Sequence, residues 1–255
     1  MNAGPLAGRR VLVTRPLEQA EGLAALIRQA GGEPILFPAI EIAEPADLAG
    51  FHAIANRLEQ FDLAIFISPT AVHRAIGLLQ GRRWPGRLGV AAIGGGSKRE
   101  LERRGFAAVI APAGEADSEA LLALPELGNV AGTSIVVFRG EGGRELLGET
   151  LRARGARVSY AECYRRVRPA VSLTEPAWAR DRLDAVTVSS SEGLANLDAL
   201  LRSWRPDWRR ESPIFVPHQR VAAEAARFGA RQAIVAGAGD EETVRALIAY
   251  FGGAK

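Results

Sequence analysis

Short apolar runs alternate with helical stripes along the whole chain. Val11–Val13, Ile35–Phe37, Leu63–Ile67 and Val90–Ile93 read as buried strands. Between them apolar residues recur at helical spacing. Ala20, Leu23, Ala24 and Ile27 fall on one helix face, and Val72, Ala75, Ile76 and Leu79 on another. Pro16 suits a first helical turn, and Gly31-Gly32 a helix end. The alternation resumes after Ile135. Strands interleaved with helices of this length predict an α/β fold with parallel sheets covered on both faces.

The pattern is written twice. VLVTRPLEQAEGLAALIRQAGGEPILFPAIEI at 11–42 has a counterpart, IVVFRGEGGRELLGETLRARGARVSYAECYRRV, at 135–167. Arg15 pairs with Arg139 and Gly31 with Gly155. Segment 62–79 matches 184–201, and 90–105 matches 214–229. A repeat this long is a domain rather than a solenoid unit. Two like domains predict a ligand cleft between them. The order of the units leaves two partitions open. One cuts the chain near residue 130; in the other the chain starts one domain, builds the second and returns. Glu41–Pro45 and Arg165–Pro169 are the candidate crossing points.

Composition narrows the partners. The 255 residues carry a net charge of only +3, and the arginines are scattered in pairs such as Arg9-Arg10 and Arg103-Arg104. A nucleic-acid binder concentrates them on one face, so no nucleic-acid partner is expected. No apolar run reaches membrane-spanning length, and the first ten residues lack a signal peptide's apolar stretch, so the cytoplasm is expected. The single Cys163 and three scattered histidines provide no disulfide and no metal cluster.

Chemistry is expected where ligands of parallel sheets bind, outside the carboxyl ends of the strands. There the chain places Thr14-Arg15, Ser68-Pro69-Thr70, Gly94-Gly95-Gly96-Ser97, Arg139-Gly140, Ser189-Ser190-Ser191 and His218-Gln219-Arg220. Small and hydroxyl-bearing residues at helix starts leave backbone N–H groups free for anions. No Walker loop, dinucleotide fingerprint or catalytic-triad order is present. Each loop alone also suits a plain turn or N-cap; their recurrence in both copies points to a ligand.

These residues also carry a family resemblance. Leu12-Val13-Thr14-Arg15-Pro16 with Phe37-Pro38, Ser68-Pro69-Thr70-Ala71-Val72, Ile93-Gly94 with Ser97, Arg139-Gly140 with Gly143-Arg144, and Cys163-Tyr164-Arg165-Arg166 resemble, in order and spacing, the uroporphyrinogen-III synthase family. The resemblance runs from about Val11 to Phe251. Ile67 and Ser97 stand where that family often has threonine, and Val221 stands where some members have a threonine discussed as functional.

The resemblance implies the crossed partition: two similar doubly wound, flavodoxin-like parallel-sheet domains, residues 1–37 with 170–255 and residues 43–163, joined by linkers 38–42 and 164–169. It implies an enzyme that cyclises hydroxymethylbilane, a polyanionic open-chain tetrapyrrole, inverting the terminal ring and releasing water without metal or cofactor. A monomer is expected. Tyr164 is the implied proton donor to the departing hydroxyl, on a crossing strand that faces the cleft. Arg15, Ser68, Gly94, Ser97, Arg139, Gly140, Ser190, Ser191, Gln219 and Arg220 are the implied substrate contacts. The competing reading is a two-lobed protein that binds the tetrapyrrole without turning it over.

Overall fold

In a computed structural model of the protein, residues 4–114, 117–170 and 176–252 are described. The chain divides into two compact units, Met1–Glu41 with Val167–Lys255, and Ile42–Arg166. The chain ends and residues 171–175 of the expected discontinuous domain lie outside the described residues.

The first unit opens with β1 (Arg10–Val13), α1 (Leu17–Gln29) and β2 (Glu33–Leu36). The chain then builds the second unit with β3 (Glu41–Ala43), α2 (Ala49–Ala55), β4 (Leu63–Phe66), α3 (Pro69–Leu78), β5 (Gly89–Ala92), α4 (Gly95–Arg103), β6 (Val109–Ile110), α5 (Ser118–Leu122), β7 (Ser134–Gly140), α6 (Leu146–Ala153) and β8 (Arg157–Val167). It returns to the first through β9 (Ala185–Thr187), α7 (Ser191–Leu201), α8 (Trp208–Glu211), β10 (Ile214–Val216), α9 (Gln219–Arg227), β11 (Ala233–Val235) and α10 (Asp240–Gly252).

The sheet of the first unit has the order β2-β1-β9-β10-β11, and its paired strands are parallel. Numbered within the unit, that is 2-1-3-4-5, the flavodoxin-like order. The second sheet runs β3-β8-β7-β4-β5-β6. Apart from the added β3, it is the same order with the chain permuted: β7 and β8 take the places of β1 and β2, while β4, β5 and β6 take those of β9, β10 and β11. The repeats, in which segment 135–167 matches 11–42 and segment 184–201 matches 62–79, are compatible with this permutation but equally with sequential halves.

The strands are buried on both faces, as parallel sheets require. In the first unit, Leu23, Ile27, Val11 and Phe215 pack with α1 and α10 on one face. Leu12, Val186, Leu197 and Trp208 form the core on the other. In the second unit Ile65, Val137, Leu147 and Leu151 pack on the α6 face. On the opposite face Phe66 and Phe138 stack with centroids 4.7 Å apart.

Two segments expected as linkers are partly built into the second sheet. Residues 41–43 and 157–167 form β3 and β8, so Tyr164 belongs to a ladder of the second unit. Pairing there satisfies backbone N–H and C=O groups that a free linker would leave to water.

Candidate functional site

Each unit has a cavity at the carboxyl ends of its strands, at the point where the strand order reverses. In the first unit that point lies between β1 and β9. Two buried threonines lock the strands together there: Thr14 Oγ1 donates to the Thr187 carbonyl at 2.7 Å, and Thr187 Oγ1 donates to the Leu12 carbonyl at 3.1 Å. Beyond them a cavity of about 250 Å³ is lined by Arg15, Gln19, Thr187, Ser189, His218 and Thr243, together with apolar Val188, Phe215, Val216 and Pro217. In the second unit the reversal lies between β7 and β4. A cavity of about 370 Å³ there is lined by Ile67, Ile93, Val137 and Leu147, with Asp117, Ser118, Arg139, Arg144, Tyr160 and Arg166 as its polar residues.

The two cavities use repeat-equivalent positions. Arg15 and Arg139 correspond, as do Ser189 and Ile67, and Pro217 and Ile93. They have diverged in character. Hydroxyl and imidazole groups line the first, whereas isoleucine, valine and leucine side chains form much of the second.

Two of the predicted arginines, Arg15 and Arg139, are engaged within their own units. Arg15 forms an ion pair with Asp240, the first residue of α10. Arg139 is only 3% exposed. It donates to Glu145 at 2.9 Å, to the Gly140 carbonyl at 3.3 Å and to the Gly142 carbonyl. Its guanidinium lies 4.6 Å from the Tyr160 ring centroid. Arg139 is thus a strut of its own loop rather than an open receptor for substrate.

Helix caps account for two predicted serines. Ser68 Oγ accepts from Ala71 N at 3.0 Å at the start of α3, and Ser190 Oγ accepts from Gly193 N at 3.0 Å at the start of α7. Their neighbours Ile67 and Ser189, not they, line the cavities. Ser68→Ala and Ser190→Ala should each lower stability by about 1 kcal/mol, the usual cost of losing such a cap. Denaturant titration of the single variants measures this.

Ser191 opens α7, and its Oγ is buried without a partner. Gly94 caps α4, inside which Ser97 is buried. Gln219 and Arg220 are exposed in the first turn of α9, beside cavity-lining His218.

Tyr164 is 2% exposed, so it does not face open space. Its ring lies over Gly140, where a Cβ would come within 2.7 Å of the ring. That contact gives Gly140 a packing reason. The Tyr164 hydroxyl is 3.3 Å from Ser68 Oγ.

The neighbouring Cys163 is buried, with its thiol directed to the carbonyls of Arg139 and Ala71. Burial pushes this thiol up to about 12. The thiolate is the reactive form. The native protein should therefore resist iodoacetamide at pH 8 and label once unfolded, as intact mass would show; rapid native labelling would contradict this burial.

Sequence reasoning missed Tyr160, Glu145 and Thr187 as functional candidates, and named Ser189 and His218 only as parts of strand-end loops. Thr187 ends its strand and Glu145 follows Arg144, but only the fold shows which residues line a cavity or hold a wall. Among the described residues no cluster of His, Cys, Asp or Glu could hold a metal ion, and no helix is long and apolar enough to cross a membrane.

Two α/β units of one permuted topology, each with a cavity at its switch point, define a duplicated α/β architecture. A family model described as uroporphyrinogen-III synthase HemD matches residues 21–249. The chain is 36% identical to uroporphyrinogen-III synthase of Salmonella typhimurium over 93% of this chain and 99% of the relative. It is 35% identical to the Escherichia coli enzyme with the same coverage. Among solved structures, uroporphyrinogen-III synthetase from Helicobacter pylori aligns with a TM-score of 0.60 at 13% identity, covering 95% of this chain and 99% of that one. A mutant Thermus thermophilus uroporphyrinogen III synthase aligns with a TM-score of 0.59 at 20% identity, covering 94% and 99%. The chain belongs to the uroporphyrinogen-III synthase family. That assignment favours the cyclising enzyme over the non-catalytic binding protein.

Proposed function

We propose that this chain closes hydroxymethylbilane to uroporphyrinogen III by positioning its substrate rather than by activating a difficult bond. The reaction itself, a cyclising dehydration of tetrapyrrole biosynthesis, rests on the family match across residues 21–249. Loss of the terminal hydroxyl gives an electrophilic azafulvene, which can also close unaided to the uninverted isomer. The protein's task is to direct attack to the substituted carbon of the terminal ring, through a spiro intermediate. Holding one geometry among competing ones is catalysis by orientation and selection.

The residues support that reading. Substrate carboxylates need N–H and O–H donors. The first unit's cavity is lined by the Ser189 hydroxyl, the Gln19 amide and the His218 ring. The starts of α4, α7 and α9 add backbone donors behind Gly94, Ser190-Ser191 and Gln219-Arg220. Arg144 and Arg166 supply charge at the second unit's cavity, whose apolar residues suit a pyrrole face. In this reading Tyr164, beside Ser68, donates to the departing hydroxyl. The protein acts in the cytoplasm as a monomer, with neither nucleic acid nor cofactor.

Purified protein mixed with hydroxymethylbilane, followed by oxidation and chromatography of the isomers, tests the function. The type III isomer should predominate. A mixture no different from the unaided reaction would reject it.

A further inference from the structure

We propose that Glu145 and Tyr160 are positioning residues for the reaction: together they fix Arg139 and so hold the wall of the second unit's cavity. The proposal rests on the reading that this cavity receives part of the substrate.

Glu145 sits at the N-cap position of α6, yet its carboxylate caps nothing. Its two oxygens serve different partners: Oε1 accepts from Arg139 Nη1 at 2.9 Å, and Oε2 accepts from the Tyr160 hydroxyl at 2.7 Å. The Tyr160 ring in turn lies 4.6 Å from the Arg139 guanidinium and 5.1 Å from that of Arg152. Arg139 closes the network by gripping the carbonyls of Gly140 and Gly142. A carboxylate, a phenol and a buried guanidinium thus tie β7, β8 and the start of α6 together.

The tied segment builds one side of the cavity. Arg139, Gly143, Arg144, Leu147, Gly148 and Tyr160 all line it. The connecting loop turns through left-handed backbone at Gly142 and Gly143, with φ of 68° and 102°, which glycine adopts without a Cβ clash. Gly148 leaves room for the Tyr160 hydroxyl, which a methyl at that position would strike. Hydrogen bonds from Tyr160 and Arg139 hold the Glu145 carboxyl below its ordinary range. Burial and the Glu145 partner push the Tyr160 phenol up. Both directions keep the bonded protonation states, carboxylate and phenol, at neutral pH. Glu145 does not line the cavity, so it acts through its neighbours.

The test is kinetic. Glu145→Gln keeps the side chain's size but removes its charge; Tyr160→Phe keeps the ring beside Arg139 but removes the donor. Each should raise KM for hydroxymethylbilane roughly tenfold, the equivalent of one charge-assisted hydrogen bond. With kcat within about twofold, the loss is one of binding alone. The double variant should be little worse than the poorer single one, because both substitutions break one network. Assays run well below each variant's melting temperature keep global unfolding out of the comparison. Unchanged KM in both single variants overturns the proposal, as does a fall in kcat at constant KM or fully additive losses. Wild type making the type III isomer in the same assay separates these failures from failure of the functional reading, and an inactive wild type takes the proposal down with it.

Discussion

Tyr164→Phe should lower turnover of hydroxymethylbilane by roughly 10²-fold, the low end for a positioned acid. The variant keeps the ring that fills the space over Gly140, so the packing there survives. It loses only the hydroxyl, which lies 3.3 Å from Ser68 Oγ. Ser68 itself is fixed at the start of α3 by its bond from Ala71. The tyrosine hydroxyl is thus held by a rigid neighbour, as a donor needs to be if it is to meet a departing hydroxyl in one geometry. Steady-state kcat and the isomer ratio measure the effect together. A Phe variant with wild-type kcat would make Tyr164 a packing residue and move the proton donor elsewhere.

The largest stability effect is expected at Trp208. It heads the fully buried side chains by volume, at 1% exposure, within the core that joins α7, β9 and β10. Trp208→Ala should cost about 3–5 kcal/mol, because lost transfer energy and a residual cavity add. Trp208→Phe should cost much less than that. Phenylalanine refills much of the volume and removes an indole N–H that is buried without an acceptor, and an unpaired buried donor is itself unfavourable. Melting curves of the two variants decide this. If Phe proved as costly as Ala, the indole N–H would have a bond to lose.

Much of this architecture was legible in the chain. Strand and helix periodicities place β1, α1, β4, α3 and β5 close to where they lie, since buried strands and one-sided helices must carry their apolar residues at fixed spacing. The repeat identifies equivalent loops, and these meet at equivalent switch points because strand order, not sequence order, decides which loops converge. Thr14, Ser68 and Ser190 were readable as strand-end and cap residues from local rules alone.

What local rules did not give is where side chains point and whom they meet. Arg15 and Arg139 look alike as candidate anion receptors. Their carboxylate partners Asp240 and Glu145 are, respectively, far away and nearby in sequence, and only folding brings Asp240 to Arg15. Tyr160 and Tyr164 are four apart on one strand, which by strict alternation would put both on one face. The ladder slips by one residue between them: Arg139 pairs with Glu162 and Gly140 with Tyr164. Such a slip turns the residues beyond it to the opposite face. Tyr160 therefore joins Glu145 and Arg139 on the α6 side, while Tyr164 reaches Ser68 at the start of α3. The sequence by itself determined the α/β class, the duplication and the loops that end its strands. Only the tertiary structure decided which of two nearby tyrosines meets which helix, because a ladder's register is set by its partner strand as well as by the residues it contains.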